Sequence, residues 1–263
     1  MRYTFLAIFA MAAWIVPQSA QAVLHGETVE YKQGDAVLEG YLVYDDATPE
    51  ASQDKRPGIL VVHDWMGPSE YSKFRADELA KLGYVAFAAD IYGKGVRPQN
   101  ADEASKVASI YKNNRVLMRD RAKAGLNILK ANPLVDSQKT AVIGYCFGGT
   151  VALELARSGA DIAGVVTFHG GLDTPTPATT LIKPKILVLH GADDPYVPLE
   201  QVQTFQKEMN DAGADWQMVY YSGAVHSFTR KDAGSDKSKG AAYNENADHR
   251  SWKAMKEFFN EIF

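Results

Sequence analysis

The residues Val142-Ile143-Gly144-Tyr145-Cys146-Phe147-Gly148-Gly149 form a short apolar run that ends in the pattern Gly-x-Cys-x-Gly-Gly. This run predicts a buried strand that stops at a sharp turn and passes directly into a helix over residues 150–157. Gly144 and Gly148 carry no Cβ, so the chain can double back where a larger residue would clash. The turn resembles a nucleophile elbow with the sulfur of Cys146 at its tip. A buried structural cysteine at an ordinary strand–helix junction is the alternative interpretation.

Strand and helix patterns alternate along the rest of the chain. Residues 27–33 and 36–44 predict a hairpin with its turn at Gly34-Asp35. The continuous apolar run at residues 57–63 predicts a strand that is covered on both faces. Further strands are predicted at residues 84–89, 140–145, 162–168, 185–190 and 216–221. Helical patterns lie at residues 69–82, 102–129 with a break near Asn113-Asn114, 198–211, and from about 241 to the C-terminus.

This alternation predicts an α/β fold, with a doubly wound and mostly parallel sheet, helices on both faces, and an N-terminal antiparallel hairpin. No internal repeat or linker divides the sequence, so residues 23–263 are expected to form a single domain. The polar stretch at residues 227–240 is predicted to be a long loop.

Residues 1–22 have the pattern of a secretory signal peptide. Met1-Arg2 is followed by an apolar stretch at residues 5–16 and by Ala20-Gln21-Ala22, so cleavage is expected after Ala22. Removing Arg2 would change the formal net charge from −4 to −4 − 1 = −5. The expected location is outside the cytoplasm, in a bacterial periplasm, with no membrane attachment after cleavage.

Composition excludes several classes of function. The pI near 5.9 and the dispersed charge give no reason to expect a nucleic-acid partner. A single cysteine cannot form a disulfide framework. No residues have the spacing of a metal site or of a dinucleotide-binding loop, so no metal or cofactor is expected. The sequence leaves the oligomeric state open, with a monomer favoured.

An elbow nucleophile needs a base and an acid that orients the base. After Cys146 the chain offers an Asp193-Asp194 pair directly after one predicted strand and His226 directly after the next. The order nucleophile, acid, base and the position of each at a strand end fit the elbow. Asp194 lies nearer the turn into Pro195 and is favoured as the orienting acid, whereas Asp193 is expected to hold the loop.

The motifs Gly-Tyr-Cys-Phe-Gly-Gly, Asp-Asp-Pro-Tyr-Val-Pro and Val-His-Ser-Phe-Thr-Arg together resemble the dienelactone hydrolase family, a cysteine-dependent branch of the α/β-hydrolase fold. The resemblance covers nearly the whole mature chain. It implies that Cys146, Asp194 and His226 are catalytic. It also implies an oxyanion hole made by the backbone N–H groups of Phe147 and Trp65.

The same resemblance assigns substrate-binding or thiol-tuning roles to three further residues. Asp64 stands where the family has a glutamate near the thiol, Lys94 stands at the position of a first arginine, and Arg230 matches a second arginine. Asp64 is one methylene shorter than glutamate, and lysine offers a point charge in place of a bidentate fork. If Lys94 and Arg230 both face the pocket, they favour an anionic or polar substrate.

The sequence therefore predicts an exported hydrolase that cleaves a small ester or lactone through a thioester, like dienelactone hydrolase (carboxymethylenebutenolidase). Two alternatives remain open, a carboxylesterase of broad specificity and a binding protein that keeps the fold without turnover.

Overall fold

The apolar runs form one eight-stranded sheet in the computed structural model, which describes residues 23–46 and 55–263. The expected leader at residues 1–22 lies outside the described residues. The strands are β1 Leu24–Gln33, β2 Ala36–Asp45, β3 Arg56–Val62, β4 Val85–Ala89, β5 Val135–Tyr145, β6 Gly164–Phe168, β7 Lys185–Gly191 and β8 Trp216–Tyr221. The helices are α1 Glu70–Ala80, α2 Ala101–Lys112, α3 Arg115–Ala131, α4 Phe147–Arg157, α5 Leu199–Asp211 and α6 Glu245–Ile262.

The sheet has the strand order β1-β2-β4-β3-β5-β6-β7-β8. The pairs β1–β2 and β2–β4 are antiparallel, and every other neighbouring pair is parallel. The predicted α/β-hydrolase fold, with its N-terminal antiparallel hairpin, is therefore confirmed. Because β3 and β5 to β8 run in the same direction, their carboxyl ends meet at one edge of the sheet.

Successive residues of the central strands serve two separate hydrophobic layers. In β3, Leu60 and Val62 pack with α2 to α5 on one face, while Ile59 and Val61 pack with α1 and α6 on the other. Strand side chains alternate between faces, so a strand that is covered on both sides has no polar positions. This two-sided burial is the reason that the fully buried strands β4 and β6 are almost entirely apolar, whereas the edge strand β8 carries the exposed Gln217.

Two glycines allow α4 to begin against the sheet. A Cβ on Gly144 would lie 2.0 Å from the carbonyl oxygen of Gly148. A Cβ on Gly148 would lie 2.3 Å from the carbonyl oxygen of Val62 and 2.5 Å from that of His63. Real Cβ atoms do not approach backbone oxygens so closely, and the expected role of both glycines in the elbow is confirmed.

Several boundaries differ from the sequence predictions, among them the starts of α4 and β5. Helix α4 begins at Phe147 instead of residue 150, because the close packing of Gly148 and Gly149 against the sheet overrides their low helix propensity. Strand β5 begins at Val135, where the pairing with β3 skips three residues that bulge out before Thr140. The loop at 227–240 contains two short 3₁₀ turns, Lys231–Ala233 and Lys237–Lys239.

Replacement of Gly148 by Ala should lower the free energy of unfolding by about 3 kcal/mol, because the new methyl group meets two rigid carbonyls. Gly159→Ala is the matched control, since Gly159 follows the same helix, has a φ of +75° and faces open space. Its free energy of unfolding should fall by only about 1 kcal/mol, because alanine is strained at a positive φ but meets no other atom there. Urea denaturation measures both values, and equal losses would contradict the packing argument.

Candidate active site

Cys146 lies at the tip of the turn between β5 and α4. Its φ of 54° and ψ of −116° lie outside the regions that non-glycine residues normally occupy. Its N–H donates to the carbonyl of Phe168 at 3.0 Å, and its own carbonyl accepts from the N–H of Gly149 at 3.0 Å. Backbone strain of this kind persists only where the surrounding structure holds it. The half-buried cysteine is therefore fixed in a strained elbow.

Asp194 and His226 come together at the carboxyl ends of β7 and β8. Nδ1 of His226 lies 2.8 Å from Oδ2 of Asp194, and both side chains are buried. The other carboxylate oxygen, Oδ1, accepts a hydrogen bond from the N–H of Tyr196 at 2.9 Å, which orients the acid. With Nδ1 bound to the carboxylate, Nε2 is the nitrogen available to a reacting group. Asp193, the competing candidate, is exposed.

The protonation of His226 is coupled to Cys146. Burial lowers the pKa of His226, but the negative charge of Cys146, the hydrogen bond to Asp194 and the contact with Cys146 outweigh burial and raise it to about 10. An imidazolium between a carboxylate and a thiolate is stabilised by both. The protonation of His226 therefore depends on both of its neighbours, Cys146 and Asp194.

Phe147 and Trp65, whose backbone N–H groups are the expected oxyanion donors, line the same cavity as Cys146. Phe147 is the first residue of α4, where N–H groups have no partner within the helix. Trp65 lies in the turn after β3, which is closed by a hydrogen bond from the N–H of Gly67 to the carbonyl of Asp64 at 3.1 Å. Within residues 23–46 and 55–263, neither N–H donates to a protein acceptor. Both donors are free to bind an oxyanion.

A cavity of about 340 Å³, called here the apolar cavity, contains both Cys146 and His226. Its aromatic and aliphatic wall includes Trp65, Phe147 and Tyr196. Its remaining lining residues are Lys112, Thr150, Gly171, Asp173, Val197, Ser227 and Ala241. The volume and the mostly apolar wall suit a small organic ligand.

A second cavity of about 230 Å³, called here the arginine cavity, also reaches Cys146. It contains Asp64 and Arg230, which are joined by a hydrogen-bonded ion pair from Nη1 to Oδ2. Oδ1 of Asp64 accepts from the N–H of Met66 at 2.8 Å. Asp232 binds the rest of the guanidinium, through Nε at 2.9 Å and through Nη2. These bonds to Asp232 raise the pKa of Arg230 further, and Asp64 adds to the effect.

Lys94 does not line either cavity. Its ammonium pairs with Glu30 of β1 and lies 3.9 Å from a carboxylate oxygen of Glu39 in β2. The structure therefore places Asp64, Arg230 and Cys146 in one cavity, whereas Lys94, in the loop after β4, pairs with carboxylates of the N-terminal hairpin.

The lining residues of the apolar cavity that sequence reasoning missed include Lys112, Thr150, Asp173 and Tyr196. Tyr196 belongs to the motif that carries Asp194, so its presence there could have been inferred. Lys112 is the last residue of α2, and an exposed lysine at a helix end carries no signal of its own. Only the packing of α2 over the carboxyl edge of the sheet brings it to the site.

His169 provides a second histidine beside the reactive group. Its ring lies 5.1 Å from the ring of His226, centroid to centroid, and its Nε2 lies 2.8 Å from Oγ1 of Thr229. Tyr71 donates its hydroxyl to the same oxygen at 2.6 Å and accepts from Nε of Arg75 at 3.1 Å. Burial and the charge of His226 hold the pKa of His169 well below its usual value. His169 therefore ends a buried hydrogen-bonded chain.

Other features of the described residues lie away from Cys146. A groove of about 640 Å³ contains Phe74, Arg75 and Trp252 and does not include any of the residues discussed as nucleophile, acid or base. Residues 23–46 and 55–263 contain no cluster of side chains that could hold a metal ion. The same ranges contain no helix long and apolar enough to cross a membrane.

The family model of the dienelactone hydrolase family matches residues 39–263. A solved structure, described as a dienelactone hydrolase-like promiscuous phosphotriesterase from metagenomic libraries, is 38% identical with a TM-score of 0.84 and covers 91% of this chain and 99% of that one. The protein named usf from Aquifex pyrophilus is 30% identical over 77% of this chain and 87% of its own length. An uncharacterized protein of Caenorhabditis elegans is 39% identical over 56% of this chain and 94% of its own.

The match includes strands β3 to β8 and the edge of the sheet that carries Cys146, Asp194 and His226. The chain therefore belongs to the dienelactone hydrolase family and is a hydrolase that acts on carboxylic ester or lactone bonds.

Proposed function

We propose that the chain is an exported hydrolase that cleaves small esters or lactones with Cys146 as nucleophile, His226 as base and Asp194 as the acid that orients His226. The observation that carries this proposal is the strained backbone of Cys146 beside an imidazole that is held by a carboxylate at 2.8 Å. Cysteine in such surroundings attacks as the thiolate.

The proposed reaction has two stages. The thiolate of Cys146 attacks the carbonyl carbon, and the tetrahedral intermediate places its oxyanion against the N–H groups of Phe147 and Trp65. Collapse breaks the carbon–oxygen bond of the ester, and His226 gives its proton to the leaving alkoxide. With a lactone, the alcohol stays attached to the acyl group. Water, deprotonated by His226, then attacks the thioester and releases the acid and the thiolate.

Asp64 supports this reaction from the arginine cavity. Its carboxylate shares the guanidinium of Arg230 with Asp232, so Arg230 offsets only part of the repulsion between Asp64 and the thiolate of Cys146. Hydrogen bonds to Arg230 and to the N–H of Met66 hold it in place. We propose that the Asp64–Arg230 pair forms part of the wall of the cavity beside Cys146 and fixes the shape of that wall.

Two alternatives differ in testable ways. A carboxylesterase of broad specificity would cleave esters of many acids without preferring lactones. A binding protein that keeps the fold would bind such molecules without turnover, and the assembled Cys146, His226 and Asp194 argue against it. A phosphotriester is a further substrate to test, because one relative is described as a promiscuous phosphotriesterase.

Replacement of Cys146 by Ala should abolish hydrolysis. We expect kcat/KM to fall at least about a thousandfold on every substrate that the wild type cleaves, because the covalent step loses its nucleophile. The measurement uses a panel of esters and lactones, with and without a carboxylate, together with one phosphotriester. Asp194→Asn tests the orienting acid, and it should lower kcat while leaving substrate binding intact.

Cys146→Ser is the control for folding and for binding of the same substrates, since it changes one atom of the side chain. If Cys146→Ala kept full activity on every cleaved substrate, Cys146 could not be the nucleophile. Wild-type protein that binds but turns over no member of the panel would favour the binding-protein alternative.

The titration of His226 should depend on Cys146. In the wild type, the imidazole should stay protonated at neutral pH and lose its proton as the pH rises through about 10. Cys146→Ala removes a negative charge that favours the protonated form, so the pKa of His226 should fall by more than about one pH unit. Nuclear magnetic resonance of the imidazole carbons measures both titrations. Identical titrations would show that the thiolate does not set the charge of His226.

Export predicts a defined mature N-terminus. Cleavage after Ala22 would leave Val23 as the first residue. N-terminal sequencing of the protein from the periplasmic fraction of a bacterial host should give a sequence that starts Val-Leu-His-Gly. An intact Met1 on protein from the cytoplasmic fraction would contradict the proposed export.

A further inference from the structure

The two cations expected to bind an anionic substrate are already occupied by carboxylates. Lys94 pairs with Glu30 on the N-terminal hairpin. All three nitrogens of the Arg230 guanidinium donate to Asp64 or Asp232. A substrate carboxylate at either position would have to displace a protein carboxylate, so neither cation offers an unpaired positive charge.

Lys112 is different because it lines the apolar cavity and has no acidic partner. Within residues 23–46 and 55–263, no carboxylate lies within ion-pair distance of its ammonium, and it makes no hydrogen bond. The other charged side chains of this wall are paired. Asp173 binds Arg115 at 2.8 Å, and His226 binds Asp194. Lys112 is therefore the uncompensated cation of the cavity that holds the nucleophile.

We propose that Lys112 binds a carboxylate on the substrate and so selects esters or lactones that carry an acidic group at the far end of an apolar acyl chain. The carbonyl carbon lies at Cys146, the apolar chain fills the cavity beside Phe147 and Val197, and the carboxylate reaches Lys112. This inference rests on the proposed hydrolase function, and it moves substrate recognition away from the Arg230 side of Cys146. Lys112 acts as a specificity residue and takes no part in bond breaking.

Two matched series of p-nitrophenyl esters test the proposal. One series carries linear acyl chains of five to eight carbons with a terminal carboxylate, from mono-p-nitrophenyl glutarate to suberate. The other carries neutral chains of the same lengths, from valerate to octanoate. The chain length at which the carboxylate gives the greatest advantage reports the reach from Cys146 to Lys112.

Lys112→Gln should lower kcat/KM on the best half-ester about fivefold through KM, while the neutral ester of equal length changes less than about twofold. Lys112→Arg should retain the preference, because the positive charge remains. Lys106→Gln is the matched control, since Lys106 lies on the same helix, is exposed and lines neither cavity.

The preference of the wild type for the half-ester should also decline as the salt concentration is raised, because screening weakens an exposed ion pair.

An equal loss on charged and neutral esters in Lys112→Gln would overturn the proposal, because it would indicate a structural effect. An unchanged preference for half-esters in that variant would overturn it as well. Failure of the underlying hydrolase proposal gives a different result, in which wild-type protein cleaves neither series or Cys146→Ala cleaves both.

Discussion

The contact between the backbone of Gly148 and the carbonyl oxygens of Val62 and His63 is the constraint on which the site depends. It lets the first turn of α4 lie directly on the end of β3. Cys146 takes its strained conformation directly before that turn, and Phe147 and Trp65 line the same cavity. The proposed nucleophile and oxyanion donors are therefore positioned next to a close packing of main chain on main chain.

Much of this arrangement could be predicted from the sequence because it depends on local patterns. The glycines around Cys146 and the apolar strand before it define the elbow. Asp194 and His226 follow strands that must run parallel to β5, so their proximity follows from topology. The start of α4 was harder to predict, since Gly148 has a low helix propensity and its tertiary contact with β3 overrides that propensity.

The charged part of the site could not be predicted in the same way. The ion pairs Arg230–Asp64 and Lys94–Glu30 each connect residues that lie far apart in the chain. The hydrophobic periodicity of a sequence contains no information about such pairs. Family resemblance supplied the positions of these cations but not their partners. Lys112 gave no signal because its role depends on the placement of α2 over the sheet edge. Which charged side chains line a pocket, and which of them are paired, thus depends on tertiary packing. This holds even where sequence motifs identify the reactive groups of the pocket.

The chain of hydrogen bonds that ends at His169 has a fixed direction at its start, because the guanidinium of Arg75 can only donate. Tyr71 therefore accepts from Arg75 and donates its hydroxyl to Thr229, whose Oγ1 lies 2.8 Å from Nε2 of His169. Burial and the charge of His226 lower the pKa of His169 and keep it neutral, so it adds no second positive charge beside the imidazole of His226. In the proposed reaction, His226 is therefore the cationic imidazole next to Cys146, and its proton goes to the leaving group.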